Sequence, residues 1–234
     1  AWVKEHPFDA GVGWGNEPWC QVEMELPEEL VSEAAARNDA ALVIIGRTAG
    51  EDQDNKNQEG SYLLTEKEKD MLSKVRKHFE RLILVLNTGN IMDMDLVEEY
   101  HPQALLYAWQ GGMVGGYGTA DVLLGKTCPS GRLTDTIAYK ITDYPSDTNF
   151  GNRDRDLYEE DIYVGYRYFE TAAKDRVRYP FGFGLSYTDF RIGDVSFSAE
   201  EKDAEITFTV QNIGTVPGKE VVQVYVTAPD GALS

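Results

Sequence analysis

Short apolar runs that alternate with helical patterns constrain this chain more than any other feature of its sequence. Residues 41–45 and 82–86 are apolar runs with the length and side chains of strands buried on both faces of a sheet. Between them, Thr-Glu-Lys-Glu at 65–68 has the form of a capping box, which begins a helix. Strands that alternate with helices are typical of a parallel sheet with right-handed crossovers. The sequence therefore predicts an α/β fold.

The other elements of this α/β region follow from the same patterns. The apolar stripe at 27–37 predicts a helix, the capping box predicts a second helix to about Phe79, and 93–100 predicts a third. Residues 104–109 and 132–137 are expected to be further strands. We expect these elements to form a three-layer α/β/α sandwich over residues 1–150, with a mostly parallel sheet.

A polar, acid-rich loop follows the first predicted strand. It contains Gly46, Arg47, Glu51, Asp52 and Asp54. Open α/β sheets place ligands and chemistry at the carboxyl ends of their strands, because helices cover both faces. A carboxylate at this position is therefore a candidate catalytic group, and the alternative from the residues alone is an ordinary solvated loop. Glu59, further along, is expected to be solvated.

Charge and apolar run length exclude several classes of partner. The chain has 40 acidic and 22 basic residues and a formal net charge of −18, which repels nucleic acid and anionic membrane surfaces. The longest apolar runs are far shorter than the roughly 18 residues that a membrane span needs. The amino end shows no signal-peptide pattern. We expect no nucleic acid or membrane partner, and we favour a cytoplasmic location over a periplasmic or secreted one.

The two cysteines and the glycine cluster each suggest chemistry that their spacing does not support. Cys20 and Cys128 are far apart and have no metal-ligand spacing, so we expect free thiols and no metal site. The glycines between 111 and 118 do not match the Gly-x-Gly-x-x-Gly pattern, and no Walker-type ending follows them. Close packing of a helix against the sheet is the expected role of these glycines. A flavodoxin-like nucleotide site stays open as an alternative.

Aromatic residues are concentrated in two stretches. Residues 1–25 contain Trp2, Trp14 and Trp19 without a helical or strand period, and we expect an ordered loop whose tryptophans pack against a neighbouring surface. Residues 158–190 contain ten aromatics, which would either line a sugar site or form a packed linker. We favour the linker and place it at 151–189.

The final part of the chain changes to alternating strands. Residues 204–210 and 220–226 alternate apolar and polar side chains and are separated by turn residues, as in an antiparallel sandwich. About three strands are present between 190 and 234, whereas an immunoglobulin-like sandwich has roughly seven. We therefore expect the first strands of a truncated second domain.

Four segments in the same order resemble glycoside hydrolase family 3. They are Gly-Arg-Thr-Ala-Gly-Glu-Asp-Gln-Asp-Asn at 46–55, the glycine-rich segment 109–133, Tyr-Glu-Glu-Asp-Ile-Tyr-Val-Gly-Tyr-Arg-Tyr-Phe at 158–169, and Tyr-Pro-Phe-Gly-Phe-Gly-Leu-Ser-Tyr-Thr-Asp-Phe at 179–190. The resemblance covers nearly the whole chain. It implies part of a retaining enzyme of the β-glucosidase type, with the α/β sandwich incomplete at its amino end and a fibronectin type III-like domain beginning at 190.

The resemblance also implies roles for individual residues. Glu51 occupies the position of the family's general acid/base. Arg47, Asp52 and Asp54 are expected to contact the substrate, with Asp52 departing from the small residue that the family often has there. The family's nucleophile is an aspartate in a Ser-Asp-Trp-like motif on a separate (β/α)8 barrel, and this sequence has no such motif.

The expected partners follow from the separation of the acid/base and the nucleophile between this chain and a barrel. They are a carbohydrate substrate, a (β/α)8 barrel from the same gene or a second chain, and a second copy of the chain in a homodimer. Glycoside hydrolysis needs two carboxyl groups and no metal or organic cofactor, so no cofactor is expected. The alternative outside catalysis is a carbohydrate-contacting or interdomain scaffold module in which Glu51 is merely an exposed acid.

Overall fold

The structure is a computed structural model that describes residues 1–48 and 53–227. Its chain divides into two compact units, residues 1–116 with 138–159 and residues 117–137 with 160–234. The helices are α1 (Trp2–Glu5), α2 (Glu28–Ala35), α3 (Glu66–His78), α4 (Asp95–Tyr100), α5 (Gly115–Leu123) and α6 (Tyr166–Ala172). The strands are β1 (Ala40–Gly46), β2 (Arg81–Asn87), β3 (Ala104–Tyr107), β4 (Ile137–Ala138), β5 (Val177–Tyr179), β6 (Phe190–Ala199) and β7 (Ala204–Asn212).

The first unit is built on a parallel three-stranded sheet in the order β1-β2-β3. The central strand β2 contributes Leu82, Leu84 and Leu86, which are fully buried. Helix α3 packs on β1 and β2, and α2 packs beside α3. The predicted α/β class and the parallel sheet are confirmed. The predicted helix at 65–79 is also confirmed, with both hydrogen bonds of its capping box formed.

The register aligns the carboxyl ends of the strands at one edge of the sheet. Gly46 lies opposite Asn87, and Leu86 lies opposite Tyr107. The residues that follow these strands therefore emerge side by side. This edge is where the acid-rich loop begins.

Strand β1 differs from the prediction in its burial. Val43 and Ile45 are buried, but Leu42 and Ile44 are 50% and 55% exposed. Because side chains alternate between the faces of a strand, one face of β1 is left uncovered by the described chain, and the expectation of burial on both faces is wrong here; β1 is also an edge strand of the described sheet. An apolar run does not reveal whether its strand lies at the centre or the edge of a sheet.

We predict that this open face makes the isolated chain self-associate, because an edge strand with exposed apolar side chains is a template for pairing. Replacing both Leu42 and Ile44 with lysine should keep the chain monomeric in sedimentation velocity at concentrations at which the unaltered chain forms larger species. Lysine replacement at two other exposed apolar positions, Val12 and Met113, should leave self-association unchanged. Equal sedimentation of the Leu42/Ile44 variant and the unaltered chain would contradict the prediction.

The second unit contains α6 and an antiparallel hairpin. Strands β6 and β7 pair from Phe190 opposite Asn212 to Ala199 opposite Ala204, with an irregularity between Gly193 and Ser196. Phe169 of α6 is fully buried. The predicted strand at 204–210 is confirmed within β7.

Four other local predictions are corrected. Residues 132–136 are irregular, and the only strand there is the two-residue β4. Residues 220–226 form no strand in the described part of the chain; there the backbone N–H of Val221 donates to the carboxylate of Glu220, and the side chain of Gln223 donates to the carbonyl of Gly182. Residues 2–5 form the short helix α1, although no helical period was expected in residues 1–25. Trp14 is largely exposed instead of packed.

The aromatic residues of the second unit pack mainly against one another. Tyr166 stacks on Phe181 with ring centroids 4.9 Å apart, and Tyr179 lies 5.2 Å from Phe183. This ring packing favours the structural interpretation of the stretch over a sugar-lined site.

Candidate active-site edge

Arg47 lies directly after β1 and is held by a buried ion pair with Glu68 of α3. Nη1 donates to Oε1 at 2.6 Å and Nη2 donates to Oε2 at 3.0 Å, and both side chains are 6% exposed. Two parallel bonds between guanidinium and carboxylate fix the relative orientation of the groups as well as their distance. The pair therefore joins the end of β1 to the first turn of α3.

The other donors of Arg47 are also occupied. Nε donates to the carbonyl of Ser61 at 2.9 Å, Nη2 donates to that of Leu63 at 3.1 Å, and Nη1 donates to that of Gly46 at 2.8 Å. The five N–H groups of a guanidinium thus all have acceptors in the protein. The substrate contact predicted for Arg47 stays a prediction; in the described structure its guanidinium bonds to residues 46, 61, 63 and 68.

Glu68 belongs to the capping box of α3. Its Oε2 accepts the backbone N–H of Thr65 at 2.8 Å, while the Thr65 hydroxyl accepts the N–H of Glu68 at 3.2 Å. The Thr-Glu-Lys-Glu pattern predicted this exchange. It gave no sign that the same carboxylate would also receive Arg47, because that contact joins residues 21 positions apart.

Two of the three carbonyls that accept from Arg47, those of Ser61 and Leu63, are presented by a turn at residues 56–63. Gly60 adopts φ +78° there, and a Cβ at this position would lie 2.7 Å from Sγ of Cys20. Only glycine meets both demands without strain. Burial raises the pKa of the Cys20 thiol above its usual value, although the Arg47 charge opposes this shift. The thiol is therefore protonated at neutral pH and is a poor nucleophile or metal ligand.

Both sides of the acid-rich loop are anchored. Before it, the backbone N–H of Arg47 donates to the carbonyl of Asn87 at 3.1 Å. After it, Asn55 donates from Nδ2 to the carbonyl of Ile91 at 2.9 Å and accepts the Ser61 hydroxyl at 2.6 Å. Residues 87–91 follow β2, so the loop after the first strand is attached to the loop after the second.

The predicted acids are only partly covered by the described structure. Glu51 and Asp52 lie outside the described residues. Asp54 is exposed at the carboxyl side of the loop, and Glu59 is exposed as expected. The catalytic role of Glu51 and the substrate contacts of Asp52 and Asp54 therefore stay predictions. Sequence patterns did not point to Gln53 or Ser61, and they did not predict the contacts of Asn55 with Ile91 and Ser61 or of Glu68 with Arg47.

The cavities near β1 do not provide a sugar site within the described chain. A gap of about 10 Å³ lies among residues that include Trp19, Arg47 and Asn55, which is far below the roughly 300 Å³ of a small-molecule site. A groove of about 460 Å³ lies along residues 40–44 of β1 and against α2 and α3, and its lining is mainly apolar. Glu23 and Asn38 are the polar side chains of this lining, which is few for the several hydroxyls of a sugar.

Cysteines, metal ligands and membrane-spanning helices were also considered in the sequence. Cys20 and Cys128 are free thiols, as expected. Among the described residues, no cluster of three histidines, cysteines or acids could hold a metal ion. In the same part of the chain, no helix combines the length and the apolar character needed to cross a membrane.

Comparison with known proteins identifies the family. The model described as the glycosyl hydrolase family 3 C-terminal domain matches residues 21–187. A beta-glucosidase from Ruminococcus albus is 60% identical over 233 residues, which are 98% of this chain and 24% of that protein. Beta-glucosidase A from Butyrivibrio fibrisolvens is 40% identical over 94% of this chain and 31% of its own length.

Solved structures agree with the sequence comparison. A beta-glucosidase from Paenibacillus barengoltzii aligns with a TM-score of 0.84 and 49% identity, over 89% of this chain and 23% of that one. Beta-glucosidase 3B from Thermotoga neapolitana, solved in complex with glucose, aligns with a TM-score of 0.80 and 30% identity, over 91% of this chain and 31% of that one. The chain thus spans between 23% and 31% of the length of these four relatives. The chain belongs to glycosyl hydrolase family 3 and corresponds to the C-terminal domain of that family.

Proposed function

We propose that this chain is the acid/base-bearing module of a retaining β-glucosidase and that Glu51 is the general acid/base. The observation that carries the proposal is the position of Glu51 in a loop anchored at the carboxyl edge of a parallel sheet, in a chain 60% identical to a beta-glucosidase. The relatives named above are all beta-glucosidases. A terminal β-linked glucoside is therefore the proposed substrate.

The proposed mechanism divides the chemistry between two parts of the protein. An aspartate on a (β/α)8 barrel attacks the anomeric carbon, while Glu51 protonates the departing glycosidic oxygen. Glu51, now a carboxylate, then removes a proton from water as the water attacks the anomeric carbon and releases the aspartate. The product keeps the β configuration because inversion occurs twice. Asp52 and Asp54 are proposed to contact the substrate on the leaving-group side.

The test of this function is the stereochemistry of the first product. The complete polypeptide, containing this chain and a barrel, should convert an aryl β-glucoside to β-glucose first, observed as the β-anomeric proton by NMR before mutarotation. Initial formation of the α anomer, or no hydrolysis, would overturn the proposal.

We also predict that this chain alone hydrolyses nothing, because the proposed nucleophile lies on other polypeptide. Purified chain should give no release of nitrophenol from nitrophenyl β-glucoside above a buffer blank. The control is the complete polypeptide at equal molar concentration, which should be active. Turnover that co-purifies with the isolated chain through two different columns would contradict the prediction.

Homodimer formation also stays a prediction, which sedimentation of the complete polypeptide would test.

A further inference from the structure

The two flanks of the acid-rich loop are hydrogen-bonded to one short segment far away in sequence. On the amino side of Glu51, the backbone N–H of Thr48 donates to the carbonyl of Trp19 at 2.7 Å. On its carboxyl side, Nε2 of Gln53 donates to the carbonyls of Gly15 and Glu17 at 2.9 and 2.7 Å. Residues 15–19 therefore span the base of the loop, and we call this segment the bracket.

The bracket has contacts of its own that hold it in place. Asn16 donates to the carbonyls of Val12 and Trp14 at 3.0 and 3.2 Å. The ammonium of Lys56 lies 5.1 Å from the centre of the Trp19 ring, within range of a cation–π interaction. Gln53 thus bonds to backbone that is itself fixed.

The chemistry of the Gln53 contact is specific to a carboxamide. Both N–H groups of its amide nitrogen are used, one for each carbonyl. A glutamate of the same shape has no such donors at neutral pH and would place one carboxylate oxygen against both carbonyl oxygens. The contact is therefore lost by a change of one atom in the side chain.

We propose that Gln53 is a positioning residue for the acid/base of this enzyme, an inference that rests on the function proposed for Glu51. Only two peptide units separate Gln53 from position 51. A proton donor works only within hydrogen-bond reach of the leaving oxygen, and misplacement by about 1 Å can cost up to 10²-fold in rate. Gln53 is held by the bracket at a point two peptide units along the chain from the proposed acid.

The test compares substrates that differ in their need for an acid. In the complete polypeptide, Gln53→Glu should lower kcat/KM about tenfold for an alkyl β-glucoside, whose poor leaving group needs protonation. For dinitrophenyl β-glucoside, whose leaving group departs unprotonated, kcat/KM should change less than twofold. Gln53→Ala, which adds no charge, should show the same contrast and covers the case in which Gln53→Glu does not fold.

The matched control is Asn38→Asp. It makes the same amide-to-acid change and removes a bond from a side-chain amide to a carbonyl, that of Ala34, but this bond lies within residues 34–38 and does not reach the bracket or the loop. Its kcat/KM for both substrates should stay within twofold of the unaltered enzyme. An equal loss for the two substrates in both Gln53 variants, or no loss in either, overturns the positioning role.

A double variant separates this inference from the function on which it rests. If Gln53 acts through Glu51, adding Gln53→Ala to Glu51→Gln should cause no further loss with the alkyl glucoside. Additive losses overturn the inference. A large effect of Glu51→Gln with none for Gln53→Ala refutes positioning alone, whereas no effect of Glu51→Gln refutes the proposed function itself.

Discussion

Replacing Glu51 with glutamine in the complete polypeptide is expected to lower kcat/KM for an alkyl β-glucoside by about 10²- to 10⁴-fold. Glutamine has the shape of glutamate but cannot transfer a proton. A dinitrophenyl glucoside should lose little in kcat/KM, since its leaving group needs no acid. Its kcat should fall, because no base remains to activate water against the glycosyl-enzyme.

Azide provides a second readout of the same variant. The azide anion attacks the anomeric carbon without losing a proton, so it releases the enzyme carboxylate and forms β-glucosyl azide. Added azide should therefore restore turnover of the dinitrophenyl glucoside by Glu51→Gln, with the azide adduct detected by mass spectrometry. The control is Glu59→Gln, which alters an exposed glutamate nearby and should change neither substrate. Retention of full activity on the alkyl glucoside by Glu51→Gln would refute its acid/base role.

The second large effect is on stability. Replacing Arg47 with methionine should lower the free energy of unfolding by about 3–5 kcal/mol, because it leaves the Glu68 carboxylate buried without its counter-charge. The carbonyls of Ser61 and Leu63 lose a donor as well. The loss is a large fraction of the roughly 5–15 kcal/mol that stabilises a domain. Urea unfolding monitored by circular dichroism would measure it as a lower midpoint.

Removing both charges should be less harmful than removing one. In the double variant Arg47→Met with Glu68→Met, no buried charge is left unpaired, so much of the lost stability should return. An exposed ion pair on the same helix serves as the control: Lys69→Met disrupts the contact with Glu66 and should cost at most about 1 kcal/mol. Additive losses for the two single variants at 47 and 68 would contradict a coupled pair.

Local patterns predicted the elements of the first unit well. The apolar runs at 41–45 and 82–86 became β1 and β2, and the capping residues at 65–68 became the first turn of α3. Such features depend on neighbours in sequence. The exposure of Leu42 and Ile44 depends on what lies beside β1, and no pattern within the run carries that information.

The candidate site likewise combines features that local sequence predicts with contacts that depend on residues far away in sequence. A carboxylate after a buried strand could be picked out from the sequence, whereas the occupation of every Arg47 donor could not. The acceptors lie 14 to 21 residues away, except for Gly46. An arginine beside an acidic loop suggests a ligand contact by type alone. Only the fold shows that its partners are already present within the protein.

The contacts of Thr48 and Gln53 with residues 15–19 have a consequence for exchanging parts between relatives of this family. A hybrid gene joined between residues 20 and 40, ahead of the sheet, would supply Thr48 and Gln53 from one parent and residues 15–19, to which they bond, from the other. A join placed ahead of residue 12 inherits both from a single parent. With the join ahead of residue 12, the hybrid should therefore have the leaving-group preference of the parent that supplies the loop. With the join between residues 20 and 40, its preference should differ from that of either parent.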